Sequence, residues 1–193
     1  MPDYVLFNEE SERLLFKKVS LSDFENLLPF HQEPLSSQYW SGLSKDPITA
    51  CKEQFSRIFE RYKEQSGGMN ALFSKETKKL IGLAGLLVQE VDGIVELEIG
   101  YSILPEYWRQ SYAFEAAKKC KEVAFENKWA ESLISIIQVN NIPSQKIINK
   151  HKLRNQSLLY KMENMNIKNK VFNELKFSIE RDYVTQFWIG CKG

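Results

Sequence analysis

"EYWRQSYAFEAAKKC", residues 106–120, decides the fold. A short polar turn leads straight into a helix, predicted from about Tyr112 to Asn127, and the strand-like run "IVELEIGYSIL" (94–104) ends just before it. The segment therefore reads as a strand–turn–helix corner. The first turn of a helix presents unpaired backbone N–H groups and the positive end of the helix dipole. Such a corner is a ready site for phosphate or pyrophosphate. Arg109, Gln110 and Ser111 place further donors around it. Many turns in α/β proteins share this character, so the surrounding chain has to say what the corner is for.

Working outward, "NALFS" (70–74) and "LIGLAGLLVQE" (80–90) flank the turn "KETK", and "DG" (92–93) precedes the strand at 94–104. These are the marks of a three-stranded antiparallel meander. In its third strand Glu96 and Glu98 share one face while Leu97, Ile99 and Tyr101 share the other. Upstream, "RLLFKKV" (13–19) reads as a first strand, and "SLSD" (20–23) opens a short helix through "FENLL" with capping-box spacing. In "DPITACKEQFSRIFERYKEQSGG", Asp46 suits a cap, Pro47 the first helical position and Gly67 the stop. Cys51, Phe55, Ile58, Phe59 and Tyr62 recur on one face of that helix. Downstream, "SLISIIQV" (132–139) is a buried-type strand and "IPSQKIINKHK" (142–152) a short helix. "SLLYKME" (157–163) and "VFNELKFSIE" (171–180) form a closing hairpin. The expected order is β-α-α-β-β-β-α-β-α-β-β in one mixed α/β domain spanning 1–193. No repeat, linker or low-complexity stretch interrupts it.

Composition narrows the class. The chain has 193 residues, 26 Lys plus Arg against 25 Asp plus Glu, and a net charge of +1. That balance argues against a protein built to grip nucleic acid. No apolar run has the length of a membrane span. The opening "MPDYVLFNEESER" lacks an apolar signal core. Cys51, Cys120 and Cys191 are far apart and form no metal-binding pattern, as in a reduced cytoplasm. The expectation is a cytoplasmic protein with no metal and no membrane or nucleic-acid partner, either monomer or homodimer.

Several stretches, in order, resemble the GCN5-related N-acetyltransferases (GNAT), in the branch of the ribosomal-protein acetyltransferases RimJ and RimL. They are "ERLLFK" (12–17) with Asp23, "EIGYSILPEYW" (98–108), "WRQSYAFEA" (108–116) and "NIPS" (141–144). The likeness runs from about residue 11 to about 180. It implies the GNAT fold: a mixed, mostly antiparallel central sheet of about seven strands with helices on both faces. It also implies acetyl-CoA as co-substrate and a primary amine as acceptor, either a protein N-terminus or a small molecule. The backbone amides of Arg109, Gln110, Ser111, Tyr112 and Ala113 would then hold the CoA pyrophosphate. Ser102, Ile103 and Leu104 would pair with the pantetheine arm by their backbone, and Asn141 and Ser144 would flank it. The strands of Ser102 and Gln138 would splay apart to admit the thioester.

Two departures stand out. The family has glycine where this chain has Arg109 and Ser111, and glycine is used where the backbone needs positive φ or close approach to a ligand. Either the Ser111 hydroxyl and the Arg109 guanidinium serve the pyrophosphate, or the turn binds CoA poorly. Lys152 likewise stands where a glycine normally closes the helix, which would shift the helix end toward Asn155.

The chemistry needs a neutral amine and a proton for the departing thiolate. A peptide α-amino group has a pKa of about 7.7–8.0 against about 10.4 for lysine, so a mild base suffices for an N-terminus. Glu163 is the first choice of base and Glu98 the second. Ser144 is the choice for donating to the sulfur, and Tyr160 the weaker alternative. His31, Tyr39 and Trp40 lie in a segment that walls the acceptor site in this fold, and they either contact substrate or pack. Cys120, on the central helix, reads as core, since direct attack needs no cysteine. Lys146, Lys150 and Arg154 either attract the CoA phosphates or are plain solvated charges. Two other readings remain at this level: a GNAT-fold binding or regulatory module that has lost CoA, and a donor with a different acyl group.

Overall fold

The computed structural model describes residues 2–39, 42–152, 159–167 and 170–180; the side chains of Ser37 and of the residues after Lys150, except Ile179, are outside that description. Its elements in chain order are β1 (Leu14–Lys18), α1 (Phe24–Gln32), α2 (Pro34–Ser37), α3 (Pro47–Glu64), β2 (Gly67–Ser74), β3 (Leu80–Val91) and β4 (Ile94–Ile103). Then follow α4 (Tyr112–Glu126), β5 (Ser132–Gln138), α5 (Ile142–Lys152), β6 (Leu159–Ile167) and β7 (Lys170–Glu180). The strands lie in the order β1-β2-β3-β4-β5-β7-β6. Every neighbouring pair is antiparallel except β4 and β5, which run parallel.

The local chemistry explains most of these boundaries. Asp23 accepts a 2.8 Å hydrogen bond from the Ser20 amide ahead of α1. Asp46 caps α3 by accepting from the Thr49 amide at 2.8 Å, with Pro47 in the first turn. Asp92 and Gly93 both take positive φ, 51° and 79°, as a tight two-residue hairpin between β3 and β4 requires.

Some boundaries differ from expectation. Helix α3 stops at Glu64, where Gln65 takes the left-handed conformation (φ 54°, ψ 32°) and its N–H closes on the last turn. Gly67, expected to end the helix, instead begins β2, where any Cβ would sit 2.1 Å from the Leu86 carbonyl oxygen. The need for glycine there is close strand packing together with a positive φ of 78°, rather than a cap. Helix α1 runs on to Gln32 through Pro29, beyond the expected end, because Leu27 and Phe30 both bury against α3 and the sheet.

Two apolar layers sandwich the sheet. On one face α4 lays Ala116, Ala117, Cys120, Val123 and Ala124 against Phe16, Leu72, Leu86, Leu97 and Ile99. The alanines let helix and sheet approach closely. On the other face α1 and α3 bring Leu27, Phe30, Cys51, Phe55 and Ile58 onto Met69, Ala71 and Leu83. Phe59 and Tyr62 of the same helical stripe are only partly buried. Burial pushes the Cys120 thiol up to about 12, as befits a core residue. No described helix is long and apolar enough to cross a membrane.

Candidate active site

The corner between β4 and α4 keeps the shape that glycine would ordinarily supply. Arg109 and Ser111 both stand at positive φ, 61° and 65°. Ser111 is the N-cap of α4, and its side chain makes no capping hydrogen bond. The first intrahelical bond runs from the Glu115 amide to the Ser111 carbonyl at 3.0 Å. The amides of Tyr112 and Ala113 therefore precede the first such bond, as at any helix start.

This open end is braced from the N-terminal side. Arg13 donates through Nε to Glu115 Oε2 at 2.6 Å and through Nη1 to the Gln110 carbonyl at 3.1 Å. Its guanidinium lies 4.3 Å from the centre of the Tyr112 ring. Glu115 also accepts from the Ser11 hydroxyl and the Arg13 amide, each at 2.7 Å. Burial alone would raise the Glu115 pKa, but these donors hold it below the ordinary carboxylate value.

Beyond the corner, β4 and β5 pair at Glu98 and Ile134 and then part. The Ser135 hydroxyl still reaches the Ile99 carbonyl at 3.1 Å. Past that point the strands wall a cavity of about 380 Å³ lined by Gly100, Tyr101 and Ser102 on one side and Ile136, Ile137 and Gln138 on the other. Asn141 and Ser144 close one end, and the α3 residues Gln54, Arg57 and Arg61 form a further wall with Tyr39.

The polar groups of β4 are not all free. The Leu104 amide donates to Ile81 of β3 at 2.9 Å. Backbone groups of a strand alternate in direction, so Ser102 also faces β3. The Ile103 carbonyl accepts from the Trp108 indole at 2.7 Å. Of the three residues expected to meet a ligand through their backbone, Ser102 thus faces the neighbouring strand, and Leu104 gives its N–H to Ile81 while its carbonyl accepts from the Tyr107 amide at 2.9 Å. Ile103 keeps its N–H for the cavity side, and Tyr101, two residues earlier, faces the same way. Ser102 still lines the cavity by its side chain: its hydroxyl is buried and has no hydrogen-bond partner in the protein.

On the opposite wall, Asn141 Oδ1 accepts from the Ser144 amide at 3.2 Å, which makes Asn141 the cap of α5. The Tyr101 hydroxyl donates to the Ser144 carbonyl at 3.2 Å and ties α5 to β4 across the gap. Burial pushes the Tyr101 phenol up, so it stays a donor.

Glu98 stands where the strands begin to part. It accepts from the Gln89 amide at 2.7 Å and from the Ile136 amide at 3.4 Å. Gln89 in turn accepts from Arg61 Nη2 at 3.2 Å, and Arg61 donates to the carbonyls of Ser66 and Val88. Burial lowers the Arg61 pKa, and the charge of Glu98 partly restores it.

The expected site residues therefore divide. Ser102, Asn141, Ser144, Glu98 and Tyr39 share one cavity, and Arg109 to Ala113 form the corner beside β4. His31 does not reach the cavity. It is buried in α1 with Nε2 2.7 Å from Gln54 Oε1, and burial lowers its pKa. Trp40 lies outside the described residues. Glu163 belongs to β6, at the irregularity between Met162 and Met165, but its side chain and that of Tyr160 lie outside them as well. Lys152 is the last residue of α5, and Asn155 is not described. Gln54, Arg57, Arg61 and Gln89 were not expected in the site. Positions 54, 57 and 61 form one stripe of α3, a polar seam beside its apolar face, and that spacing is their only mark in the sequence.

Comparisons with known proteins bear on the family and the fold. Residues 13–154 match the family described as the acetyltransferase (GNAT) domain. An uncharacterized N-acetyltransferase of Bacillus licheniformis, p20, is 23% identical over 175 residues, which cover 90% of this chain and 96% of that protein. Among solved structures, an acetyltransferase from Agrobacterium tumefaciens superposes with a TM-score of 0.72 at 19% identity, over 92% of this chain and 96% of that one. A Vibrio cholerae chain, provisionally assigned as a ribosomal-protein-serine acetyltransferase, gives 0.69 at 17% identity, over 94% and 100% of the two chains. A corner with an open helix start, a parallel strand pair that parts beside it and a family match over most of the chain point the same way: this protein belongs to the GNAT acetyltransferases.

Proposed function

We propose that the protein is an N-acetyltransferase that moves an acetyl group from acetyl-CoA to a primary amine by direct attack in a ternary complex. The observation that carries this reading is the parting of β4 and β5 beyond Glu98 and Ile134, beside an α4 start held open by two left-handed residues. The corner offers the amides of Arg109, Gln110, Ser111, Tyr112 and Ala113 to the pyrophosphate, with the helix dipole behind them. The Ile103 N–H and the Ser102 hydroxyl serve the pantetheine arm from β4, and Asn141 and Ser144 serve it from α5. A buried hydroxyl without a partner is costly unless a ligand satisfies it, and Ser102 fits that need.

In the transfer, the amine nitrogen bonds to the acyl carbon and the carbon–sulfur bond breaks. Glu98 takes the proton from the amine, and the Ser144 hydroxyl donates to the departing sulfur. Of the two glutamates expected as base, Glu98 has a described side chain, and it is among the residues that line the cavity. The acceptor approaches past Tyr39 and α3. The RimJ/RimL-type reading, with a protein N-terminus as acceptor, draws support from the ordered motifs between residues 12 and 144 and from the likeness to the Vibrio cholerae chain. The core domain would run from about residue 11 to about 180.

Calorimetric titration with acetyl-CoA tests the reading, on the native chain and on Ser111→Gly. Micromolar binding by the native chain supports it. Binding seen only in Ser111→Gly would make the protein a module that has lost its co-substrate, and binding by neither would remove acetyl transfer.

A further inference from the structure

We propose that Arg13 is the positioning residue of the α4 corner, doing from the start of β1 what glycine does elsewhere by conformational freedom. The inference rests on the acetyl-CoA reading above. Arg13 lies 97 residues from Gln110 in sequence. Its one guanidinium nonetheless spans the whole first turn of α4. Nη1 holds the Gln110 carbonyl, the cation covers the Tyr112 ring, and Nε meets the Glu115 carboxylate.

Gln110 is the residue between the two left-handed positions, Arg109 and Ser111. In a trans peptide the carbonyl and the following N–H point in opposite directions, and no cis peptide occurs among the described residues. Fixing the Gln110 carbonyl on Arg13 therefore turns the Ser111 N–H away from Arg13, and this peptide cannot flip without giving up the bond. Non-glycine residues at positive φ persist only where their surroundings hold them. Here the holding group is identified, and it is planar and forked. A guanidinium can serve a carbonyl and a carboxylate together, which a lysine ammonium on a flexible stem does poorly.

The function follows from this placement. Arg13 does not touch the pyrophosphate; it keeps the amide of Ser111 presented to it. Losing Arg13 should weaken what binds at the corner and leave the chemistry in the cavity intact.

The test compares two donors on the full chain: acetyl-CoA, and S-acetyl-pantetheine, which lacks the pyrophosphate. Arg13→Ala is expected to raise the KM for acetyl-CoA about tenfold, with kcat and all S-acetyl-pantetheine kinetics unchanged, the size of one lost charge-assisted contact. Arg13→Lys should recover only part of the loss. Adding Ser111→Gly to Arg13→Ala should shrink the loss to about threefold, because glycine reaches the left-handed conformation unaided. Equal losses on both donors, a fall in kcat, or no change in KM would each overturn the proposal. If the native chain binds no acetyl-CoA, the co-substrate reading fails by itself, and urea unfolding of the native chain, Arg13→Ala, Ser111→Gly and the double variant still decides about Arg13. A destabilisation by Arg13→Ala that is smaller in the Ser111→Gly background supports the pinned turn, and strict additivity overturns it.

Discussion

The side-chain amide of Gln89 donates to Glu98 at 2.7 Å, and through its oxygen the same amide accepts from the half-buried guanidinium of Arg61. The carboxylate at the head of the cleft is thus tied to a cation through one neutral amide. Together with the bond from the Ile136 amide, this fixes its orientation at the gap between β4 and β5.

Glu98→Gln should lower kcat by about 10²–10⁴-fold, the usual worth of a positioned acid or base. The KM for acetyl-CoA should stay within about twofold, since the corner at Ser111 is untouched. Steady-state kinetics of Glu98→Gln and Glu163→Gln side by side check this. If only the Glu163 variant loses turnover, the base has been assigned to the wrong strand.

Ser111→Gly and Arg109→Gly should each stabilise the native chain by up to about 1 kcal/mol, because each relieves a left-handed residue. Urea midpoints with unchanged slopes would show it. A loss of stability in Ser111→Gly would mean that the serine hydroxyl contributes more than its strained backbone costs.

Folding stability should fall on acidification in two steps. Burial lowers the His31 pKa, so the folded state disfavours the charged ring that the unfolded chain accepts. That contribution is present above the unfolded value of about 6.5 and is lost as pH falls through the depressed folded value. The Glu115 pKa is also lowered, and its contribution is lost as pH falls below about 4.5 toward the folded value. Thermal midpoints between pH 8 and 4 should therefore decline. His31→Gln should flatten the upper part of that decline and Arg13→Ala the lower part.

Cys51 and Cys120 should resist alkylation in the folded protein. Burial raises their thiols to about 11 and about 12, so little thiolate exists at pH 8. Mass spectrometry after a native pulse of iodoacetamide should find both unmodified, and modification should appear with unfolding. Rapid labelling of Cys120 in the native state would contradict its place between α4 and the sheet.

Much of this architecture is legible along the chain because its causes are local. The Asp46–Pro47 start of α3, the Asp92–Gly93 hairpin and the alternation in β4 each depend on residues within a few positions of one another. Gly67 misleads for the opposite reason. Its requirement is a positive φ beside the Leu86 carbonyl of a neighbouring strand, and the residue that ends α3 is Gln65, which carries no stop signal. The same split runs through the site. The α4 corner can be read from "WRQSYAFEA", whereas Arg61, Gln89 and Arg57 reach the cavity from α3 and β3 and look like ordinary surface polar residues in sequence. His31 looks like a site residue and is buried beneath Gln54.

By itself the sequence determined the order of elements apart from the short α2, which it did not announce, and also the corner before α4 and the motifs that mark a GNAT acetyltransferase. Hydrogen bonding to near neighbours and apolar periodicity are properties of short stretches. Only the tertiary structure decided that the Ser102 hydroxyl is buried without a partner beside the cavity, that Glu98 is tied to Arg61 through Gln89, and that Arg109 and Ser111 keep a glycine-like turn with the Gln110 carbonyl between them bonded to Arg13. Each of these depends on groups far apart in the chain, and their distances and directions are fixed only when the sheet and its two helical layers close around them.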